Sequence, residues 1–224
     1  MDFWHLLNRG VDKRKIFMDN QDYLRFVHDL FQFNNQKNTN SNNYHYKKAI
    51  DIGCTDIYRK VERRLLVKIH CFCLMPNHYH LLVSPVVDDG IPRFMKKLNM
   101  GYAKYFNEKY DRTGALFQGK YRSVLIKADA HFLYIPYYIH FNPLDLYMPE
   151  WREGKVKNTN KALAYLEKYK WSSHVDYSGG CNFRSVIQHE SLLDFFGSEE
   201  EYLNETGKQL KNFDESQVNS VALE

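Results

Sequence analysis

Two adjacent β-rich segments with a very short connection restrict the fold more than any other part of the sequence. Residues 63–75 (RRLLVKIHCFCLM) and 77–85 (NHYHLLVSP) are both largely apolar, and the turn-like MPN tripeptide stands at their junction. A connection this short permits only antiparallel pairing, since parallel strands need a crossover of about a dozen residues or more. The sequence therefore predicts a β-hairpin near the middle of the chain.

Further elements are predicted on both sides of this hairpin. Residues 2–10 (DFWHLLNRG) alternate loosely between apolar and polar and end in a turn signal, as a strand does. Residues 20–35 and 91–110 have apolar side chains at three- and four-residue spacing, which predicts two amphipathic helices. Residues 120–128 (KYRSVLIKA) predict a fourth strand.

A short helix is predicted over residues 129–144. It should stop at Asn142, because the residue before a proline avoids the α region. Pro136 lies inside this segment and predicts either a kink or a late start.

The resulting order β-α-β-β-α-β is the ferredoxin-like split βαβ pattern. It predicts an α+β fold with an antiparallel sheet of four to five strands, helices on one face, and a small helical appendage at the C-terminus. We expect a main domain over residues 1–148, with an Asn-rich insertion at about 34–47, and a helical extension over 149–224. Within that extension, the SEEE sequence from Ser198 to Glu201 fits a helix capping box.

Composition narrows the class of protein. The chain has 224 residues, of which 44% are hydrophobic and 26% charged, as in globular domains. No apolar run approaches the roughly 20 residues of a membrane span, and no secretory leader is apparent. The four cysteines do not match a disulfide scaffold, which favours reduced thiols and a cytoplasmic location.

Positive charge is concentrated in one segment. Residues 93–122 contain eight Lys and Arg against two acidic residues, with seven aromatic residues among them. Cations that follow phosphates and rings that stack on bases suit single-stranded nucleic acid. A solvated helix face with core aromatic residues explains the pattern equally well. The candidate DNA contacts are Arg93, Lys96, Lys97, Lys120 and Arg122.

Two histidines at the start of the third strand are the clearest candidate site. His78 and His80 should point to the same face, and a shared divalent cation would satisfy both rings. One interpretation adds Cys71 and Cys73 to form a tetrahedral zinc site. Another adds one oxygen ligand to hold Mg²⁺ or Mn²⁺ and leaves positions for phosphate oxygens. Two partly exposed histidines without a metal are the third alternative.

The last predicted helix offers a nucleophile. Tyr138 and Asn142 are four residues apart and would share one helix face, so a tyrosine nucleophile and an amide ligand could face the histidines. Alternatively, the tyrosines of this segment are amphipathic side chains that pack in the core of the protein from a buried helix.

Several of these motifs resemble those of a known family. The sequences NRGVDKRKIF, CLMPNHYHLLV, YIHFNPL and WSSHVDYSG occur in the order found in single-tyrosine HUH transposases of bacterial insertion sequences. The resemblance is closest to the REP-associated tyrosine transposases, and it covers nearly the whole chain. The combination of MPNHYH with YIHFNP is its most specific part.

The resemblance implies a function and a site. His78 and His80 would bind Mg²⁺ or Mn²⁺, Asn142 would be a third metal ligand, and Tyr138 would attack DNA to form a 5′-phosphotyrosine. The substrate would be single-stranded DNA, often folded as an imperfect hairpin. Pro136 departs from the family pattern, so Tyr137 and Tyr134 remain alternative nucleophiles.

Two questions stay open at the level of the sequence. A non-catalytic single-stranded nucleic-acid-binding module of RRM-like fold is the alternative function, and both a monomer and a homodimer are compatible with the sequence.

Overall fold

The computed structural model describes residues 2–37, 63–127 and 129–213 of the chain. The strands are β1 (Phe3–Arg9), β2 (Val67–Met75), β3 (His78–Pro85) and β4 (Arg122–Ile126). The helices are α1 (Asn20–Gln32), α2 (Gly90–Lys109), α3 (Asp129–Phe141), α4 (Thr159–Lys168), α5 (His174–Tyr177), α6 (His189–Phe196) and α7 (Glu199–Lys211). Short 3-10 turns occupy Val11–Lys13, Asn142–Leu146 and Pro149–Glu153.

The four strands form one antiparallel sheet in the order β2-β3-β1-β4. The predicted central hairpin is confirmed, since β2 ends at Met75 and β3 begins at His78. The predicted order β-α-β-β-α-β is also confirmed, and with it the α+β class. Consequently β3 and β1 are the two inner strands, and they carry the residues of the candidate site.

Helices α1 and α2 cover one face of the sheet. The α1 residue Phe26 packs its ring 4.7 Å from that of Tyr79 on β3 and 4.9 Å from that of Tyr102 on α2. All three side chains are buried. The N-terminus of α1 is capped by the side chain of Asp19, which accepts a hydrogen bond from the backbone N–H of Asp22. The two helices of the ferredoxin-like unit therefore share a face, as the sequence predicts.

Helix α3 lies on the opposite face. Tyr79 and His80 point to opposite sides because successive strand residues alternate, and the ring of His80 contacts Tyr138 on α3. The helix runs from Asp129 to Phe141 with Pro136 inside it, so a late start at the proline is wrong. Its end at Phe141, immediately before Asn142, agrees with the prediction.

Residues 149–213 pack along the outer edge of β2 and against α3, and Trp171 stacks on Tyr23 of α1. Trp151, Tyr177 and Tyr202 are fully buried members of the main hydrophobic core. Tyr177 Oη donates to the backbone oxygen of His70 on β2 at 2.6 Å. The capping box expected at Ser198 is present and begins α7. The helical C-terminal segment thus shares the core of the preceding residues.

Three further expectations have mixed outcomes. The insertion expected at about 34–47 lies mostly outside the described residues. Its first residue, Asn34, is buried, and its side chain forms hydrogen bonds with the backbone of Leu66 and Val67. Cys71 and Cys73 are not in disulfides, whereas Cys181 is disulfide-bonded, so the expectation of reduced thiols does not hold for Cys181. None of the helices in the described ranges has the length and apolar character needed to cross a bilayer.

Candidate active site

The site begins with the histidine pair at the start of β3. His78 and His80 lie two residues apart on a strand, so their side chains share one face. Their ring centroids are 4.9 Å apart, and both residues are buried. Tyr79 points to the other face, where its hydroxyl donates to Asn99 Oδ1 at 2.5 Å. The structure therefore presents the two imidazoles as neighbours.

A third histidine, which the sequence interpretation missed, adjoins the pair. His5 on β1 is fully buried, and its ring stacks on that of His80 with a centroid distance of 5.1 Å. His5 Nε2 and His80 Nδ1 are hydrogen-bonded at 2.9 Å. Strand alternation alone could not reveal this contact, because it depends on the register that places Leu7 opposite His80.

One ring nitrogen of each histidine of the pair is hydrogen-bonded to a neighbouring side chain. His78 Nδ1 lies 2.6 Å from Asn77 Oδ1, which is an acceptor, so His78 Nδ1 carries a proton. The bond to His5 gives His80 the same tautomer when its Nδ1–H donates to His5 Nε2. Metal-binding histidines are commonly arranged in this way, with one nitrogen donating to a neighbour and the other coordinating. The donor chemistry of both histidines fits a divalent cation.

Tyr138 meets this cluster from α3. Its ring contacts those of His80 and His5 edge-on, at centroid distances of 5.9 Å and 6.1 Å. The side chain is fully buried. The side chains of His5 on β1, His80 on β3 and Tyr138 on α3 thus meet on one face of the sheet.

The two alternative tyrosines have other neighbours. Tyr137 stacks on Tyr202 of α7 at a centroid distance of 5.9 Å and an interplanar angle of 10°. Burial raises the pKa of Tyr137 above its ordinary value. Tyr134 is half-buried and lines a cavity with Leu133 and Phe195. Of the three, only Tyr138 has a ring contact with the histidines among the described residues.

Asn142 is buried one turn beyond Tyr138. Its Nδ2 donates to the backbone oxygen of Tyr138 at 2.8 Å, which ties down a carbonyl at the end of α3. Its Oδ1 accepts a longer hydrogen bond, 3.4 Å, from Arg152 Nη2. The amide therefore has two protein partners, and its role as a metal ligand stays a prediction.

Arg152 is a second residue that the sequence interpretation missed. Asp145 holds its guanidinium, with Nη2 at 2.7 Å and Nε at 2.9 Å from the two carboxylate oxygens. The guanidinium carbon lies 5.6 Å from the centroid of the Tyr138 ring and 4.7 Å from that of Trp151. A fixed cation thus stands beside the tyrosine, brought there by the Pro149–Glu153 turn.

The zinc interpretation fails. In the described part of the chain, no group of three or more His, Cys, Asp or Glu side chains is arranged to hold a metal ion. Cys73 pairs with His80 in the strand register, yet this pairing does not complete a four-ligand set. Burial raises the pKa of the Cys71 thiol, which disfavours the thiolate that zinc needs. The alternative set of His78, His80 and the Asn142 amide contains only two side chains of these four types, so the absence of a group of three does not bear on it.

The five cations predicted to contact DNA fall into two groups. Arg93 forms a salt bridge with Asp89 at 3.1 Å, and Lys97 Nζ donates to the backbone oxygen of Asn35 at 2.7 Å. Together with the exposed Lys96, they lie in the first turns of α2, shortly after β3 ends. Because His78 begins β3, these three cations follow the end of the strand that is opposite to the histidine pair. Lys120 and Arg122 are instead beside β1, in a cavity that Arg9 also lines.

The order of the strands and the two helices on one face of the sheet define an α+β protein of ferredoxin-like topology. The histidine–tyrosine cluster lies on the other face, under α3. Residues 30–142 match the family model described as "Transposase IS200 like", and the chain belongs to this family of transposases. The matched range includes His78, His80, Tyr138 and Asn142. No curated protein sequence matches the chain.

One solved structure with similarity to the chain is described as "Structure of the REP associates tyrosine transposase bound to a REP hairpin". It is 15% identical in sequence, with a TM-score of 0.46. The alignment covers 80% of this chain and 81% of that one.

Proposed function

We propose that this protein nicks single-stranded DNA and transfers the strand through a 5′-phosphotyrosine on Tyr138. Membership in a transposase family supports a role in DNA transposition. The observation that carries the proposal is the contact of the Tyr138 ring with His80 and His5 in one buried cluster. A core tyrosine would need no such polar surroundings, whereas a nucleophile needs groups that bind phosphate or favour phenolate.

His78 and His80 would hold Mg²⁺ or Mn²⁺ through their Nε2 atoms, with Asn142 as the proposed third ligand. When bound, such a cation neutralises a non-bridging phosphate oxygen and makes phosphorus easier to attack. The protein's part is to orient both imidazoles. Asn77 does this for His78, and His5 does it for His80.

The proposed step exchanges one ester bond for another. Tyr138 Oη forms a bond to phosphorus while the bond from phosphorus to the 3′-oxygen breaks. The phenol loses its proton, and the departing 3′-oxygen gains one to become a 3′-hydroxyl. Because the phosphotyrosine is itself an ester, a second 3′-hydroxyl can reverse the exchange on another strand without ATP.

Arg152 would assist Tyr138 electrostatically. Its positive charge, 5.6 Å from the centre of the tyrosine ring, favours the negatively charged phenolate over the neutral phenol. Asp145 keeps the guanidinium in place. Since Tyr138 is fully buried, access of a DNA strand requires a displacement of the residues that cover it.

The substrate class we propose is a single strand of DNA that forms an imperfect hairpin. The alternative, an RRM-like module that binds on its sheet, needs an exposed face. Here Leu6 and Tyr79 on one face and Leu7 and His80 on the other are all buried. Both faces of the inner strands are therefore covered at these positions, and this favours the proposal over a module that presents an exposed sheet face.

The test uses a set of single-stranded hairpins taken from DNA that flanks the gene, each labelled at its 3′ end so that the label stays on the protein-linked fragment. With Mn²⁺, the wild-type protein should give a labelled covalent adduct on a denaturing gel. Tyr138→Phe should fold and bind the same DNA but give no adduct. Tyr137→Phe serves as the matched control and should still form it.

An adduct of undiminished yield from Tyr138→Phe would refute the assignment of the nucleophile. DNA binding without cleavage by the wild type, unchanged by Mn²⁺ or EDTA, would instead favour a non-catalytic binding protein.

A further inference from the structure

A bulge separates β4 from β1 beside the histidine pair. Leu7 pairs with Arg122, but beyond this point Gly10 pairs with Phe117, and the backbone N–H of Gln118 donates to the oxygen of Arg9 at 2.8 Å. Residues 118–121 therefore stand opposite only residues 8 and 9 of β1. Gly119 within the bulge has φ of +83°, in the left-handed region that favours glycine. Extra residues in one strand locally open the ladder.

The opening forms a cavity of about 280 Å³ with a strongly basic lining. Three of its six lining residues are cations and none is acidic; the six are Leu7, Asn8, Arg9, Gln118, Lys120 and Arg122. Gln118 adds a side-chain amide that can donate to an anion. Both the charge and the hydrogen-bonding groups of the cavity thus suit a phosphate.

Two polar atoms of the lining residues lack a protein partner. Asn8 Nδ2 and Arg9 Nε are buried, and neither has a hydrogen-bond partner among the residues that the structure describes. Buried donors without partners are costly, and an anionic acceptor would remove that cost. Strand alternation places the Asn8 side chain on the face of Tyr79 and the Arg9 side chain on the face of His78. The Arg9 donor therefore points to a ligand on the side of the histidines.

The cavity adjoins the proposed active site. Arg9 on β1 pairs directly with His78 on β3, so their side chains project from neighbouring positions on the same face. Directly opposed residues in an antiparallel pair have Cβ atoms about 4.5–5.5 Å apart. A strand whose phosphate reaches the histidines would therefore bring a neighbouring phosphate to the cavity.

We propose that this cavity binds one backbone phosphate of the DNA strand, next to the phosphate that Tyr138 attacks. Arg9 and Lys120 supply the charge, and the amide of Gln118 supplies further donors. The cavity would hold the strand in register over the histidines. This inference rests on the proposed function for the position of the reacting phosphate, but binding of DNA in the cavity can be measured without cleavage.

The experiment measures binding of a fluorescently labelled single strand by anisotropy in EDTA, where no cleavage occurs. Arg9→Gln should lower the affinity about tenfold, the loss expected for one charged hydrogen-bonded contact. The slope of log affinity against log salt should fall by about 0.7, as for one phosphate contact on a single strand. Lys120→Gln should act in the same direction, and because Lys120 is exposed this variant does not threaten folding.

Lys161→Gln on α4 is the matched control: it removes an exposed charge far along the chain from the cavity and should leave affinity unchanged. A second arm replaces single phosphates of the strand by uncharged methylphosphonates. At one position along the strand, the methylphosphonate should weaken binding to the wild type but not to Arg9→Gln.

The inference would be overturned if Arg9→Gln and Lys120→Gln bound the strand as tightly as the wild type does, and if no single methylphosphonate affected the wild type and Arg9→Gln differently. This outcome is distinct from failure of the proposed function. A wild type that forms no adduct while Arg9 and one phosphate remain coupled in binding would refute the nicking reaction alone.

Discussion

The hydrogen bond between His5 and His80 allows a quantitative prediction. His5→Leu keeps a side chain of similar size but removes Nε2, the 2.9 Å hydrogen-bond partner of the buried His80 Nδ1. The unpaired ring nitrogen should cost about 1–3 kcal/mol in the free energy of unfolding. For a chain of this length, each kcal/mol corresponds to about 2–4 °C in Tm.

His5→Leu should also weaken metal binding. Without its hydrogen bond to His5, the His80 ring is no longer held in one orientation and one tautomer. Removal of such an outer hydrogen-bond partner typically lowers metal affinity about 10- to 100-fold. We therefore expect the Kd for Mn²⁺ to rise by that factor while the fold is retained.

Two assays separate the effects. Thermal denaturation followed by circular dichroism gives the stability, and titration of Mn²⁺ by calorimetry gives the metal affinity. His70→Leu is the matched control, because His70 is also buried on the sheet and hydrogen-bonds Ser84 Oγ at 2.8 Å. It should lose similar stability without loss of Mn²⁺ affinity. Equal Mn²⁺ affinities for His5→Leu and the wild type, or equal losses in both variants, would show that His5 does not orient His80 for metal binding.

Three other outcomes are expected. His78→Ala should abolish the increase in Tm that Mn²⁺ gives the wild type, measured by thermal denaturation with and without the metal. Arg152→Met should slow adduct formation on the labelled hairpin more than it weakens binding, because it removes the cation beside Tyr138. Burial lowers the pKa of His174 to about 4, so the unfolded state binds this proton at higher pH than the folded state. Stability should therefore fall by up to about 3 kcal/mol between about pH 6.5 and pH 4, and urea denaturation should show a smaller fall for His174→Gln.

The fold was largely predictable because it follows from local patterns. The short MPN connection required a hairpin between β2 and β3, and the apolar spacing of α1 and α2 required helices that bury one face. The order of these elements then selected the antiparallel ferredoxin-like sheet. Pro136 was harder to place, since the helix continues through it with the support of tertiary packing.

The site was predictable only where its residues share an element or a short repeat. His78 and His80 are two apart on one strand, and Tyr138 and Asn142 are four apart at one helix end, so their relations follow from the periods of strand and helix. His5 and Arg9 depend on the register between β1 and β3. Arg152 depends on the path of the chain after α3. Neither the register nor this path can be read from spacing along the sequence.

The buried network around His140 illustrates the same limit. His140 and His174 both hydrogen-bond the hydroxyl of Tyr202, at 2.8 Å and 2.7 Å, and so join α3 to α5 and α7. Burial lowers the pKa of His140 well below its ordinary value. His140 and Tyr202 are far apart along the sequence, and only the fold brings them together. The C-terminal segment thus helps to position the helix that carries Tyr138.

Whether Tyr138 is the nucleophile can be decided by locating the covalent link itself. The protein is incubated with Mn²⁺ and a single-stranded hairpin, digested with protease and nuclease, and the peptides are analysed by mass spectrometry. We predict a nucleotide attached through a 5′-phosphate to Tyr138. A nucleotide found on Tyr134 or Tyr137 instead would contradict this assignment.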